Sequence, residues 1–248
     1  MKRFKACYRL AAALVHALTG LLTIILVFPR LTVEQRQMRV QVWSLAMLGR
    51  LGIALRVVGQ PAVSGPMLLV ANHISWLDIT AMHAARYCRF VSKSDIRQWP
   101  LIGALAAGVG TLFIERASRR DAMRVVHQVA TSLQDGEVVA IFPEGTTSDG
   151  NTVLAFHANL IESAIVVDAP VQPVALCFVD RASGQPTRAP CYINDDTLAG
   201  SVWRTLTAPS ITAVLTFGEP QCARGRDRRT WAADLREEVI RLREPRKS

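Results

Sequence analysis

From Ala11 to Phe28 the chain carries no Asp, Glu, Lys or Arg, and this run most narrows what the sequence can fold into. Eighteen helical residues extend roughly 27 Å, close to the thickness of a bilayer's hydrocarbon core. Lys2, Arg3, Lys5 and Arg9 precede the run, and Arg30, Arg36 and Arg39 follow it, so flanking charge gives no orientation. A basic start and an apolar stretch also describe a signal peptide. Pro29, Arg30, Leu31 and Thr32 lack the small-x-small pattern of a cleavage site, however. A second apolar stretch, Val40 to Val58, is interrupted by Arg50 and Arg56. On a helical wheel Arg36, Arg39 and Arg50 fall within roughly 60° of one another, with Trp43, Leu45, Met47, Leu48 and Leu51 elsewhere. That pattern predicts an interfacial amphipathic helix. The two stretches together predict a hairpin that enters one leaflet and returns; the alternative is that both pack on a globular core.

Charge is distributed unevenly. Residues 1–60 hold nine Lys/Arg and one acid, a net charge of +8, whereas residues 61–248 hold 20 basic and 19 acidic residues, a net charge of +1. A basic excess on the most apolar segment points to an anionic membrane surface ahead of nucleic acid. Half of the 248 residues are hydrophobic, which excludes a disordered chain. The length fits one domain with an appendage: a membrane-associated two-helix segment over 1–60 and a globular domain over 61–248. The five cysteines are widely spaced, with no C-x-x-C pair, so neither a disulfide framework nor a metal cluster is expected. They read as small core hydrophobes of a reduced, cytosol-facing domain.

After Gln60 short apolar runs alternate with helical stretches. Strands are expected at Met67–Ala71, Arg89–Ser92, Thr111–Glu115, Val138–Phe142, Val171–Phe178 and Ile211–Phe217, and helices at Ile79–Tyr87, Leu101–Gly108, Arg119–Gln134, Ala155–Val166 and Trp231–Arg243. Continuous Val/Ile/Leu runs suit strands covered on both faces. The expected fold is α/β: a mixed, largely covered sheet flanked by helices, behind an N-terminal membrane-associated helical hairpin.

Three motifs stand out, and the first two follow apolar runs, where α/β folds place their sites. The first runs from Asn72 and His73 to Asp78. A neutral imidazole can take a proton from a hydroxyl, and a carboxylate can orient it. The same residues also suit an ordinary turn, with Asp78 as a helix N-cap. The second is Phe142-Pro143-Glu144-Gly145-Thr146, where glycine permits close backbone approach and exposed amides and hydroxyls suit an anionic oxygen; the alternative is an ordinary strand-to-turn junction. The third runs from Gly110 to Arg116, whose guanidinium can grip a phosphate or, as the alternative, pair at the surface with Glu115 or Asp121.

N-H-x-x-x-x-D, G-x-x-F-I-x-R and F-P-E-G-T in this order, followed by the proline-containing apolar strand around Pro173, resemble the glycerolipid acyltransferase family, in particular its bacterial 1-acyl-glycerol-3-phosphate acyltransferases. The resemblance implies that 61–248 is an acyltransferase domain. It implies a fatty acyl group moving from an acyl-CoA or acyl-ACP thioester to a lysolipid hydroxyl, with no cofactor beyond that co-substrate. It makes His73 the general base and Asp78 its orienting partner. Asn72, Gly110, Arg116, Pro143, Glu144, Gly145 and Thr146 become substrate-binding residues, with Arg116 on the acceptor phosphate. Many members carry Arg after the F-P-E-G-T block, where Thr147 stands here. With one guanidinium fewer, lyso-ornithine lipid is the alternative acceptor to 1-acyl-glycerol-3-phosphate. The expected setting is the cytoplasmic face of the inner membrane, among membrane lipids and without nucleic acid. Rival readings are a thioesterase using the same base on water, and a non-enzymatic adaptor using Arg224, Arg226, Arg228 and Arg229.

Overall fold

A computed structural model describes residues 2–114, 119–193 and 196–244 of the chain. Its centre is a seven-stranded mixed sheet of β1 (Ile53–Val58), β2 (Met67–Ala71), β3 (Arg89–Lys93), β4 (Leu112–Ile114), β5 (Val138–Ile141), β6 (Val171–Asp180) and β7 (Ile211–Phe217). The strands lie in the order β1-β7-β6-β2-β5-β3-β4. β2 to β6 run parallel to one another; β7 and β1 run the opposite way.

β2 and β5 are buried at every position, as strands covered on both faces must be. Their alternating side chains feed two cores: Met67, Leu69 and Ala71 face one, Leu68 and Val70 the other. The first core is closed by α1 (Lys2–Leu26), α2 (Val33–Leu51), α3 (Leu77–Ala85) and α7 (Leu198–Thr207). The second is closed by α5 (Arg119–Gln134), α6 (Glu162–Val166) and α8 (Arg228–Arg243). Between β3 and β4, α4 (Ile102–Gly108) rests on α1, where Gly108 faces Ile24. The expected fold class is thus observed.

Two element expectations are corrected. The helix expected over Val40–Val58 begins earlier and stops at Gly52, whose φ of +80° is the left-handed conformation that ends helices. Ile53–Val58 then joins the sheet beside β7, so the sheet begins before residue 60. The helix expected over Ala155–Val166 is only the short α6, preceded by a single tight turn. In addition, α7 occupies a stretch the apolar pattern left unassigned. Thr197 caps it, accepting from the Gly200 amide.

The first two helices form an antiparallel hairpin. His16 Nε2 donates to the Trp43 carbonyl at 3.0 Å, Trp43 Nε1 donates to the His16 carbonyl at 3.1 Å, and the two rings stack. A β-carbon on Gly20 would lie 2.5 Å from Trp43 Nε1, so only glycine allows this approach. α1 buries small residues (Ala6, Ala13, Ala17 and Gly20) and exposes large apolar ones, among them Leu14, Leu18, Leu22, Ile25 and Leu26.

Candidate active site

The parallel strands β2, β5, β3 and β4 all end at one edge of the sheet. Just past the end of β2, Asn72 is fully buried. Its Oδ1 accepts from the Leu176 amide at 2.7 Å, and its Nδ2 donates to the Leu176 carbonyl at 2.9 Å. This pair adds one side-chain rung beyond the last β2–β6 backbone partner, Ala71 with Val174. Asn72, expected at the substrate, is placed as a brace between β2 and β6, its amide oxygen and nitrogen each bonded to Leu176.

His73 follows, with its side chain about one-fifth exposed; Nδ1 lies 2.7 Å from Oδ2 of the fully buried Asp78. A carboxylate oxygen only accepts, so the proton sits on Nδ1 and the Nε2 lone pair is available. The same Oδ2 accepts from the amides of Ile74 at 2.6 Å and Ser75 at 2.9 Å. Asp78 lies inside the first turn of α3 rather than at its N-cap, and the 73–78 loop wraps around its carboxylate. Its other oxygen is buried with no hydrogen-bond partner among the described residues.

The imidazole plane is fixed as well. The His73 ring stacks on Phe142 with centroids 4.1 Å apart and planes 8° from parallel, and Phe142 stacks in turn on Phe90. The turn after β5 holds the His73 backbone on both sides. Glu144 Oε1 accepts from the His73 amide at 2.7 Å, while the Ser148 amide and hydroxyl both donate to the His73 carbonyl. Glu144 Oε2 accepts from the Leu154 amide at 2.9 Å. Burial raises the Glu144 carboxyl above its ordinary value, and these two N–H donors partly oppose the shift. Pro143 is buried beside it. Gly145, with φ +71°, and Thr146 are exposed between the two ends of the turn that grip His73.

A strap over residues 187–193 closes the site from the β6 side. Ser75 Oγ donates to the Pro190 carbonyl at 2.5 Å, the Tyr192 amide donates to the Ile74 carbonyl at 3.1 Å, and Thr147 Oγ1 donates to the Tyr192 carbonyl. Ser201 and Arg204 of α7 hold the strap from behind through the Cys191 and Ala189 carbonyls. Phe142 as a stacking platform, Ser148 and the strap escape a reading of motifs, because backbone acceptors and ring faces leave no spacing to recognise.

Gly110 is not brought to this edge. It precedes β4, at the opposite end of the strand, where its carbonyl accepts from Arg89 Nε at 2.8 Å. Arg116 lies outside the described residues. Burial pushes the Cys88 thiol up and the Cys191 thiol up to about 11, against a nucleophilic role for either. Among the described residues no group of three or more His, Cys, Asp or Glu is placed to hold a metal ion. Arg226 pairs with Asp234, and Arg228 with Glu162.

The family model described as "Acyltransferase" matches residues 54–177. The chain is 37% identical to a lyso-ornithine lipid O-acyltransferase of Pseudomonas aeruginosa, over 82% of this chain and 78% of that one. It is 39% identical to a 1-acyl-sn-glycerol-3-phosphate acyltransferase of Neisseria meningitidis, over 74% and 72%. Among solved structures, the 1-acyl-sn-glycerophosphate acyltransferase PlsC of Thermotoga maritima superposes with a TM-score of 0.68 over all of both chains at 19% identity, which shows a shared fold.

Proposed function

The chain belongs to the acyltransferase family, and we propose that it moves a fatty acyl group from a thioester to the free hydroxyl of a lysolipid at a membrane surface. The observation that carries this reading is the oriented His73, with Nδ1 held by Asp78 at 2.7 Å and its ring fixed against Phe142. Nε2 takes the hydroxyl proton as the oxygen attacks the thioester carbonyl. The Asp78 carboxylate stabilises the imidazolium that forms. The tetrahedral intermediate collapses with cleavage of the C–S bond, and the imidazolium returns its proton to the departing thiolate. No acyl-enzyme is needed.

The acceptor we propose is 1-acyl-glycerol-3-phosphate, giving phosphatidic acid, with acyl-CoA or acyl-ACP as donor. Relatives named for this acceptor and for lyso-ornithine lipid are similar to the chain to nearly the same degree. One observation favours the second: Thr147, where many members carry Arg, is neutral and its hydroxyl is engaged by Tyr192. The membrane setting, read as the cytoplasmic face of the inner membrane, is supported by the outward apolar surface of α1 and the +8 charge of residues 1–60.

The test is thiol release from acyl-CoA and acyl-ACP by purified protein in detergent, with 1-acyl-glycerol-3-phosphate, with lyso-ornithine lipid, or with no acceptor. Release is expected to require a lysolipid and to be fastest with 1-acyl-glycerol-3-phosphate. Equal release without acceptor makes the protein a thioesterase, and release with lyso-ornithine lipid alone changes the acceptor.

A further inference from the structure

The antiparallel hairpin brings the N-terminal turns of α1 against the C-terminal turn of α2. Between them the two helices leave an open cavity of about 630 Å³ lined by Lys5, Tyr8, Arg9, Gly49, Arg50 and Gly52, among others. Three cations thus border one cavity, and none of them forms an ion pair with a described residue. Arg9 donates to the Leu206 carbonyl and Arg50 to the Ala46 carbonyl, each through one nitrogen. A guanidinium has five N–H donors, so both retain others. The single acid in residues 1–60, Glu34, stands in the first turn of α2, about 24 Å along the helix from Arg50.

Gly49 lines the cavity. It lies inside α2, where glycine costs about 1 kcal/mol relative to alanine, and a β-carbon there would meet nothing within 4 Å. No close contact demands this glycine; a side chain would enter the cavity. The cavity also lies where the charged end of α1 gives way to its outward apolar face. Tyr8 on its rim is 70% exposed, and Leu14 and Leu18 continue the face. A tyrosine between cations and an apolar face is the arrangement of a head-group level.

We propose that this cavity holds the phosphate of one anionic membrane lipid, whose acyl chains lie along the outward face of α1. The proposal rests on the membrane reading above and adds a discrete site to it. It is separate from the acceptor site, which lies at the carboxyl ends of β2 and β5.

Native mass spectrometry of the full chain in detergent tests it, with phosphatidylglycerol, phosphatidylcholine and inorganic phosphate as probes. The wild type is expected to retain one phosphatidylglycerol about 30-fold more strongly than phosphatidylcholine, the effect of roughly two lipid-facing cations. Lys5→Gln with Arg50→Gln should abolish most of that preference. So should Gly49→Glu, which introduces a carboxylate without displacing a neighbour. Lys2→Gln with Arg3→Gln, the same charge change outside the cavity, should alter it less than about threefold. Equal retention of the two lipids overturns the proposal, as does an equal loss in the Lys2/Arg3 pair. Displacement of phosphatidylglycerol by millimolar inorganic phosphate overturns it in favour of a soluble-anion site. Flotation with neutral phosphatidylcholine vesicles separates the two readings. A wild type that does not float removes the membrane reading and this site with it, whereas one that floats without lipid selectivity removes only the site.

Discussion

α1 and α8 cover opposite faces of one sheet and obey opposite rules. α8 turns Trp231, Leu235 and Val239 inward, each fully buried, and presents Asp234, Glu237 and Arg241 to the outside. α1 turns alanines and a glycine inward and presents leucines and isoleucines outward. A helix that gains its stability by burying an apolar stripe must look like α8. α1 contributes little large-side-chain burial to the fold, and its outward face is the kind of contiguous apolar surface that marks an interaction site. The difference supports the proposed membrane setting, with water beyond α8 and lipid beyond α1.

Truncation should separate the two helices most sharply. Trp231→Ala is expected to cost about 3–5 kcal/mol of stability by chemical denaturation in detergent. Leu22→Ser on α1 should stay within about 0.5 kcal/mol while weakening partition into vesicles. Comparable stability costs for the two would make α1 an ordinary core helix and end the comparison.

The layer beneath the hairpin offers a second test. His83 of α3 is buried, with Nε2 donating to the Cys88 carbonyl at 2.9 Å, and burial lowers its pKa from the ordinary 6.5 to about 4. A lowered base stabilises the fold fully above pH 6.5, and that contribution is lost as pH falls through 4, a loss of about 3 kcal/mol. His83→Gln should flatten stability over that window. An NMR titration of His83 near 6.5 would instead mean that water reaches the sheet face under the hairpin. A smaller effect, about 1–3 kcal/mol, is expected for Ala17→Leu, because enlarging the inner surface of α1 forces the packed helices apart. A stabilising Ala17→Leu would show the inner surface to be loosely packed.

How much of this was legible in sequence depended on whether the signal was a change of period. β2, β5, β6 and β7 stand out as apolar runs between polar turns. β1 does not, because its apolar residues continue those of α2, and the break is marked only by Gly52 and its positive φ. The His73–Asp78 pair was readable because both roles of Asp78, local turn acceptor and partner of the imidazole, demand a carboxylate at that distance; the structure gives Asp78 both. Asn72 and Gly110 lie in the same motifs and read as site residues, but a sequence does not say that one amide faces β6 or that Gly110 lies at the far end of a three-residue strand. The strap over 187–193 acts through backbone carbonyls, which any residue supplies.

The central claim is that His73, oriented by Asp78, removes the acceptor's proton. Its most direct test is single-turnover acyl transfer to lysolipid by folded wild type, His73→Ala and Asp78→Asn at saturating donor and acceptor. His73→Ala should be slower by about 10²–10⁴-fold or more. Asp78→Asn should lose less, since its amide oxygen can still accept from the imidazole and from Ile74 and Ser75. Transfer by His73→Ala within a few-fold of wild type would contradict the account.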